Sequence, residues 1–475
     1  MPLRVWILWA LFLIRGIFYC AMFPLWEGWD EYAHFAYLQH VVNTDSLPHF
    51  DSPLSREIDE SMRLAPLPYE LRWIGPPYLT EPQWWALPES ERADRLRRLA
   101  ELPAEYAKQP SAHKFVSYEA QQPPLYYWLL SMPLRLVEAW HLWARVLLIR
   151  LLSMALASLA IPLTWLAAKG TAGFHAAALL AVAPGFAIDT CRIANDSLAI
   201  ALVALLVWLT IRRSHRVVTG IVMGAALLAK AYLLALLPVV FLRRRPLPVL
   251  ALAAGIAGWW YARNVEMGIA FSGWLDHVDA RKAFAGIPRI DWFSAANIVA
   301  RSFIWFGGWS FLTLKSWIYL PVEIMAICGI AGAIRGRAKV PLAFAGCFAL
   351  AMIYGVLNYY AAHGIPNVPG WYAWAIAGPL ALIMARGLGR AAIVMISSLA
   401  LMDFYGVAAL LVPFYAGLVE RGRASAGQFP AALDRLHVSP ALAVLWAAAT
   451  LAIPVCCILL RPCGEASRPS SSDTS

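Results

Sequence analysis

Charge is scarce in this chain. Of 475 residues only 14% are Asp, Glu, Lys or Arg, while 60% are hydrophobic, and the mean hydropathy is +0.59. A soluble domain carries about 25% charged residues. A water-soluble fold is therefore excluded, and the chain reads as an all-α polytopic membrane protein. Paired cysteine spacing is missing too. The seven cysteines, Cys20, Cys191, Cys328, Cys347, Cys456, Cys457 and Cys463, form no C-x-x-C and mostly lie in apolar runs. That argues against a disulfide framework and a zinc site. No small-x-small cleavage site follows the apolar run 5–23, which reads as a retained first helix rather than a signal peptide. No internal repeat is visible. Lys and Arg outnumber Asp and Glu by 39 to 29, a formal charge of +10. The Arg residues gather in short loops between apolar runs, which is an orientation signal and lipid headgroup contact rather than a nucleic-acid surface.

What is present is a series of apolar runs. A bilayer-crossing helix needs about 20 mostly apolar residues. Candidates are 5–23, 145–167, 172–188, 197–211, 217–242, 247–262, 316–334, 340–357, 371–386, 391–413 and 439–460. Short inner loops hold the excess of Lys and Arg. This puts Ser214 inside, between Arg213 and Arg216, and Asn195 outside. Run 217–242 has Lys230 in its middle and basic clusters at both ends, so it is expected to be a hairpin of two short helices. The same parity makes 124–140 an amphipathic juxtamembrane helix and 297–313 interfacial or re-entrant. About twelve membrane helices result, with both termini inside and a large helical first outer loop at 24–144. Within that loop 88–100 reads as a solvated helix, acids first and basics last. The tail 461–475 reads as disordered. Arg15, Glu323 and Asp403 lie within predicted spans, and no partner for them can be read from the sequence.

The first outer loop opens with WEGWDEYAHFAY, residues 26–37. If the turn is helical, Asp30, His34 and Tyr37 share one face at i, i+4 and i+7, while Glu31 points elsewhere. Capping is the plainer job for Asp30, and for Asp196 ahead of SLAIAL. Further on, YEAQQPPLYYW (118–128) supplies Glu119, Gln122, Tyr126 and Tyr127, polar handles that also suit an aromatic belt. Arg192, Asn195 and Asp196 stand in the next outer loop. Lys230 between two apolar arms is costly unless paired or snorkelling. NYYAAHGIPNVPGWYAW (358–374) adds His363 and Tyr372.

Together these segments resemble the GT-C superfamily of membrane glycosyltransferases, which use polyprenyl-phosphate sugars. That superfamily includes protein O-mannosyltransferases, lipid A aminoarabinose transferases and oligosaccharyltransferases. Asp30-Glu31 looks like its first acidic motif. QQPPLYY (121–127) looks like its His-Pro-Pro-Leu-Tyr stretch, with Gln122 in place of the His. Asn195-Asp196 looks like its second acidic motif, and GIVMGAALLAKAY (220–232) like its Gly-rich helix ending in Lys, with Ala229 in place of Thr. The resemblance covers 1–245, leaving 246–460 as variable C-terminal membrane helices.

It implies a polyprenyl-phosphate sugar as donor and a glycan, lipid or protein hydroxyl (or an amine) as acceptor, with the lipid bilayer as surroundings and no nucleic-acid partner. Asp30 and Glu31 become the catalytic pair. His34, Tyr37, Glu119, Gln122, Tyr126, Arg192, Asn195, Asp196, Lys230, His363 and Tyr372 become substrate-binding residues. A polyprenyl phosphate leaves as a stabilised anion, so one carboxylate base is enough, and a single displacement inverts the anomeric centre. No cofactor is expected. A divalent metal is not favoured, because Asp30, His34 and Asp196 sit on separate elements. In a bacterium the place would be the inner membrane, with the site facing the periplasm or exterior. A lipid transporter or flippase, or a non-catalytic scaffold of the same fold, are the rival readings.

Overall fold

The computed structural model describes residues 1–74, 77–113, 117–271, 273, 278 and 280–460; the tail expected to be disordered lies outside them. Helices dominate, because an apolar run in a bilayer can satisfy its backbone polar groups internally only as a helix or a closed barrel. The first, Leu3–Met22, has 20 residues, about 30 Å at 1.5 Å per residue, which matches a hydrocarbon core. Among the described residues six helical stretches are long and apolar enough to cross: Leu3–Met22, Leu142–Ala168, Ser316–Arg335, Lys339–His363, Gly370–Tyr415 and Pro440–Leu459. Gly170–Val182 with Pro184–Thr190, bent by 61°, makes a seventh if the pair is one span. The chain is a multi-pass helical membrane protein. Length and apolarity alone reach six or seven spans against the expected twelve: Asp196–Ile211, Arg216–Ala229 and Ala231–Leu242 are shorter apolar helices, Gly370–Tyr415 is one stretch where two spans were expected, and Leu247–Glu266 is not among the six.

The expected hairpin at Lys230 forms. Arg216–Ala229 stops at Lys230, whose backbone is extended (φ −152°), and Ala231–Leu242 follows as a tighter 3₁₀ helix containing Pro238. Arg243 then donates to Thr219 Oγ1 at 3.0 Å and to the Ser214 carbonyl. The basic clusters on either side of the hairpin therefore share one face. Gly220 and Gly224 let this helix approach Leu247–Glu266 closely, since a Cβ at Gly224 would sit 2.7 Å from Ile256 Cβ. That contact crosses the 245/246 boundary read from the sequence.

The intramembrane charges find partners. Arg15 and Asp403 form an ion pair at 3.0 Å, both fully buried. Arg15 also donates to the Ala181 carbonyl and, at 3.0 Å, to the Val182 carbonyl, beside the break that Pro184 opens. Arg301 Nε meets Glu323 at 3.3 Å. Arg4 donates to the Leu460 carbonyl at 3.3 Å, so the first helix begins where the last one ends.

On the opposite side the first loop builds a helical cap. It holds Glu31–Thr44, Arg56–Leu64 and Glu89–Ala100 and a two-stranded parallel pair, Pro66–Leu67 with Leu79–Thr80, against which Arg56–Leu64 and Glu81–Ala86 pack. Ser55 caps Arg56–Leu64, accepting from the Ile58 N–H. Glu89–Ala100 buries nothing and carries acids in its first turn and Arg97 and Arg98 in its last, as read from the sequence. Leu125–Leu136 is amphipathic: Tyr126, Tyr127, Leu130 and Leu134 are buried, and Leu129, Met132 and Leu136 are exposed. Trp292–Ile304 precedes a turn closed by the Gly307–Leu312 bridge, which covers the stretch expected to be interfacial.

Candidate active site

Asp30 precedes the Glu31–Thr44 helix but does not cap it. Its backbone is left-handed (φ 56°) and its side chain makes no cap bond. A non-glycine residue there stores strain of order 1 kcal/mol, which persists only where the surroundings hold it. The carboxylate instead accepts a hydrogen bond from Tyr118 Oη at 2.6 Å. Burial pushes its pKa up, opposed first by the Tyr118 hydrogen bond and then by the charges of Arg192 and Lys230.

This left-handed turn removes the premise of the helical-face expectation. The His34 Nδ1 pairs with Tyr127 Oη at 2.7 Å, and both His34 and Asp30 line one cavity. Burial, reinforced by Lys230 and Arg192, holds the His34 pKa well below the usual imidazole value, so it is a neutral ring.

The second-loop residues form a closed network. Lys230 Nζ donates to Asn195 Oδ1 at 2.5 Å and Asp196 Oδ2 at 2.9 Å. Asp196 also accepts from Tyr232 Oη, and from Arg192 at 3.3 Å. Arg192 bonds Asp189 at 2.9 Å and the Trp29 carbonyl at 2.9 Å. Asn195 donates to Gln122 Oε1 at 3.0 Å and to the Ala229 carbonyl at 2.9 Å. Lys230 therefore already has a carboxylate partner within the protein, and an anionic headgroup is not needed to account for it. Gly28 brings the two loops together, since a Cβ there would lie 2.7 Å from Arg192 Cβ.

Two cavities meet at Asp30. One, of about 570 Å³, runs between Ala231–Leu242 and Lys339–His363, with Leu234, Pro238, Phe348 and Met352 among its apolar walls, and reaches Arg192, Asp196 and Lys230. The other, of about 880 Å³, is bounded by outer-loop and turn residues including Glu70, Trp309, Arg301 and Arg421. Asp30, Glu119, Gln122, Trp29, Trp371 and Tyr372 line both. Trp29 and Trp371 stack at 4.4 Å with planes 8° apart, a flat aromatic wall beside Asp30.

Of the residues read from the sequence, Asp30, His34, Glu119, Gln122, Arg192, Asp196, Lys230 and Tyr372 line one or both cavities. Asn195 sits behind them. Tyr37 stacks on Tyr127 at 3.6 Å, and Tyr126 bonds Ser153 at 2.6 Å; both buttress the wall rather than line it. His363 lines neither cavity but packs against Tyr359, which borders the larger one. Glu31 also lies outside them. Arg150 grips its carboxylate through Nε (2.7 Å) and Nη2 (2.5 Å), and the Ile193 N–H donates to it at 3.1 Å. Sequence reasoning missed Tyr118, Tyr232 and Glu27. Tyr118 and Tyr232 flank Glu119 and Lys230 closely in sequence. Glu27, pushed up to about 8 by burial, accepts from Ser310 N at 2.8 Å and anchors the 305–312 turn.

The site thus defines a class: a helical membrane protein with a half-buried carboxylate, held by one tyrosine, where an apolar cavity meets a second, larger one. Among solved structures the chain is similar to ArnT from Cupriavidus metallidurans bound to undecaprenyl phosphate (TM-score 0.49, 12% identity, covering 94% of this chain and 75% of that one). It is also similar to the apo state of the same protein (TM-score 0.42, 14% identity, 89% and 74%). No protein-family model matches the sequence, and no curated protein does. With TM-scores below 0.5, nothing about the reaction follows from this likeness.

Proposed function

We propose that the protein is a membrane glycosyltransferase that moves a sugar from a polyprenyl-phosphate carrier to a hydroxyl (or amine) acceptor on the outer face of a bacterial inner membrane. The observation that carries this reading is the meeting of the two cavities at Asp30. The apolar channel suits an isoprenoid tail and ends at Arg192 and Lys230, which suit its phosphate. The larger chamber suits a polar acceptor. Asp30 lies where they join, so it takes the acceptor's proton while the anomeric carbon is attacked and the carrier phosphate leaves as an anion. Charge leaves on the phosphate, so a second catalytic carboxylic acid is not required, and one displacement inverts the anomeric centre. Base catalysis supplies roughly 10²–10⁴-fold, and the rest comes from positioning and anion stabilisation.

The test is mass spectrometry of the purified protein for co-purifying lipid, followed by transfer from the lipid found. A polyprenyl phosphate or its sugar ester, with turnover, supports the reading. Bound carrier that crosses vesicles without losing its sugar would make the protein a flippase, and bound carrier with neither outcome would make it a scaffold.

A further inference from the structure

Glu119 is the second carboxyl at the junction. It lines both cavities beside Asp30 and Gln122. It is 6% exposed, and its Oε2 has no hydrogen-bond partner. The nearest cationic candidate, His34 Nδ1, is 3.9 Å away and already paired with Tyr127. Gln122 hydrogen-bonds the carboxyl, but a buried carboxylate with one oxygen left unbonded is still expensive, and the acid form reduces that cost. The surroundings act the same way. Asp30 and Asp196 face it from the first and second loops and Lys230 from the hinge, while Tyr37, Tyr127 and Tyr372 surround it from three further elements. By formal charge Asp30, Asp189 and Asp196 already outnumber Arg192 and Lys230, before any carrier phosphate arrives. Burial, then the Asp30 charge, push Glu119 up to about 8.

We propose that Glu119 reads the donor sugar: as a neutral carboxylic acid it exchanges hydrogen bonds with a hydroxyl of the carrier-linked sugar, so the donor is a polyprenyl phosphate bearing an uncharged, hydroxylated sugar rather than an amino sugar. A protonated carboxyl both donates and accepts, which is what a sugar hydroxyl needs. A cationic amine would call for an ionised partner, whereas burial and the neighbouring Asp30 charge favour the acid form of this carboxyl. Position supports the same reading, because Glu119 lines the smaller cavity together with both Asp30 and Lys230.

This inference rests on the proposed function, and one binding experiment separates the two. Undecaprenyl phosphate, undecaprenyl-phosphate mannose and an undecaprenyl-phosphate amino sugar are titrated against wild type, Glu119→Gln and Glu119→Ala. Glu119→Ala is expected to weaken the mannose carrier about tenfold and leave bare undecaprenyl phosphate as in wild type. Glu119→Gln, which keeps a donor and an acceptor, is expected to weaken the mannose carrier by only about threefold. It should also abolish the fall in wild-type affinity above pH 8. Equal loss of bare and sugar-bearing carrier in Glu119→Ala would assign the residue to folding or to the phosphate. No loss of either would remove it from the sugar contact. Preference for the amino-sugar carrier would overturn the neutral-sugar assignment. Wild type binding none of the three would sink the carrier reading itself, and this inference with it.

Discussion

Tyr118 Oη donates to Oδ1 of Asp30 across 2.6 Å, and no helix-capping bond competes for that carboxylate. Burial raises the Asp30 pKa and the tyrosine lowers it. A general base works only when ionised, so activity falls as pH drops through its pKa. Tyr118→Phe removes the opposing hydrogen bond and lets the pKa rise further. The acid limb of kcat/KM should therefore move to higher pH, while Asp30→Asn should cut turnover roughly 10²-fold or more at every pH. A pH–rate profile checks both. An acid limb that stays in place, or a fully active Asp30→Asn, would move the base elsewhere.

Glu31 and Arg150 are fully buried and bidentate. Arg150 also donates to the Phe23 and Pro24 carbonyls, each at 2.8 Å. The pair therefore fastens the end of the first helix to Leu142–Ser158. Removing one partner of a buried pair costs about 3–5 kcal/mol. Arg150→Met should accordingly lower the thermal midpoint in detergent sharply, and the double change with Glu31→Gln should recover part of it. Glu31→Gln that is stable but inactive would return Glu31 to the catalytic pair.

The sequence made some of this legible. Lys230 between two apolar arms, with arginines at both ends, is enough to predict a hairpin, because only that topology returns both clusters to one side. A helix within 124–140 was legible from its apolar run, and the structure forms one over Leu125–Leu136. The role of Glu31 was not, because its partner is 119 residues away in sequence and an adjacent acidic pair reads as one unit. A still longer separation in sequence hid the pairing of Arg15 with Asp403. The Asp30–His34 face argument lost its premise for a local reason: the i, i+4 rule assumes that helical dihedrals continue through residue 30, and its left-handed turn breaks them. The twelve-span count is not settled by length and apolarity, because neither distinguishes a short helix from one that crosses.

Lys230 both neutralises Asp196 and lines the channel end. Its two roles separate in a cycle. Lys230→Met should weaken undecaprenyl phosphate binding about tenfold or more. If Lys230 acts on the lipid, adding Asp196→Asn to remove the stranded carboxylate should restore stability but not binding. Recovery of binding in the double variant would assign Lys230 to Asp196 alone.

The residues that suit a metal have other work. Asp196 accepts from Lys230, Tyr232 and Arg192, and His34 Nδ1 is held by Tyr127. A divalent ion would have to displace those donors. Turnover should therefore survive chelation and dialysis. Full loss with chelator, restored by Mg²⁺ or Mn²⁺, would require the network to rearrange around an ion.

Orientation can be tested at residues that a reagent can reach. Asp196–Ile211 has 16 residues, about 24 Å of helix, with Asn195 at one end and the 212–216 arginine cluster at the other. Asn195 itself is fully buried, so a cysteine there would be shielded. Glu101, on the helical cap, and Arg213, beside Ser214, are exposed and stand at opposite ends of the bundle. The cap holds the Asn195 end through Gln122, whereas Arg243 ties the 214 end to the hairpin base. Basic loops stay inside, so Arg213→Cys should label only from the cytoplasmic face and Glu101→Cys only from the outer one. The background replaces Cys328, which is exposed, and Cys463. Labelling of both from one face would contradict the bundle itself. Labelling in the reverse sense would keep the bundle and turn the two cavities toward the cytoplasm, where the proposed acceptor could not be a surface glycan.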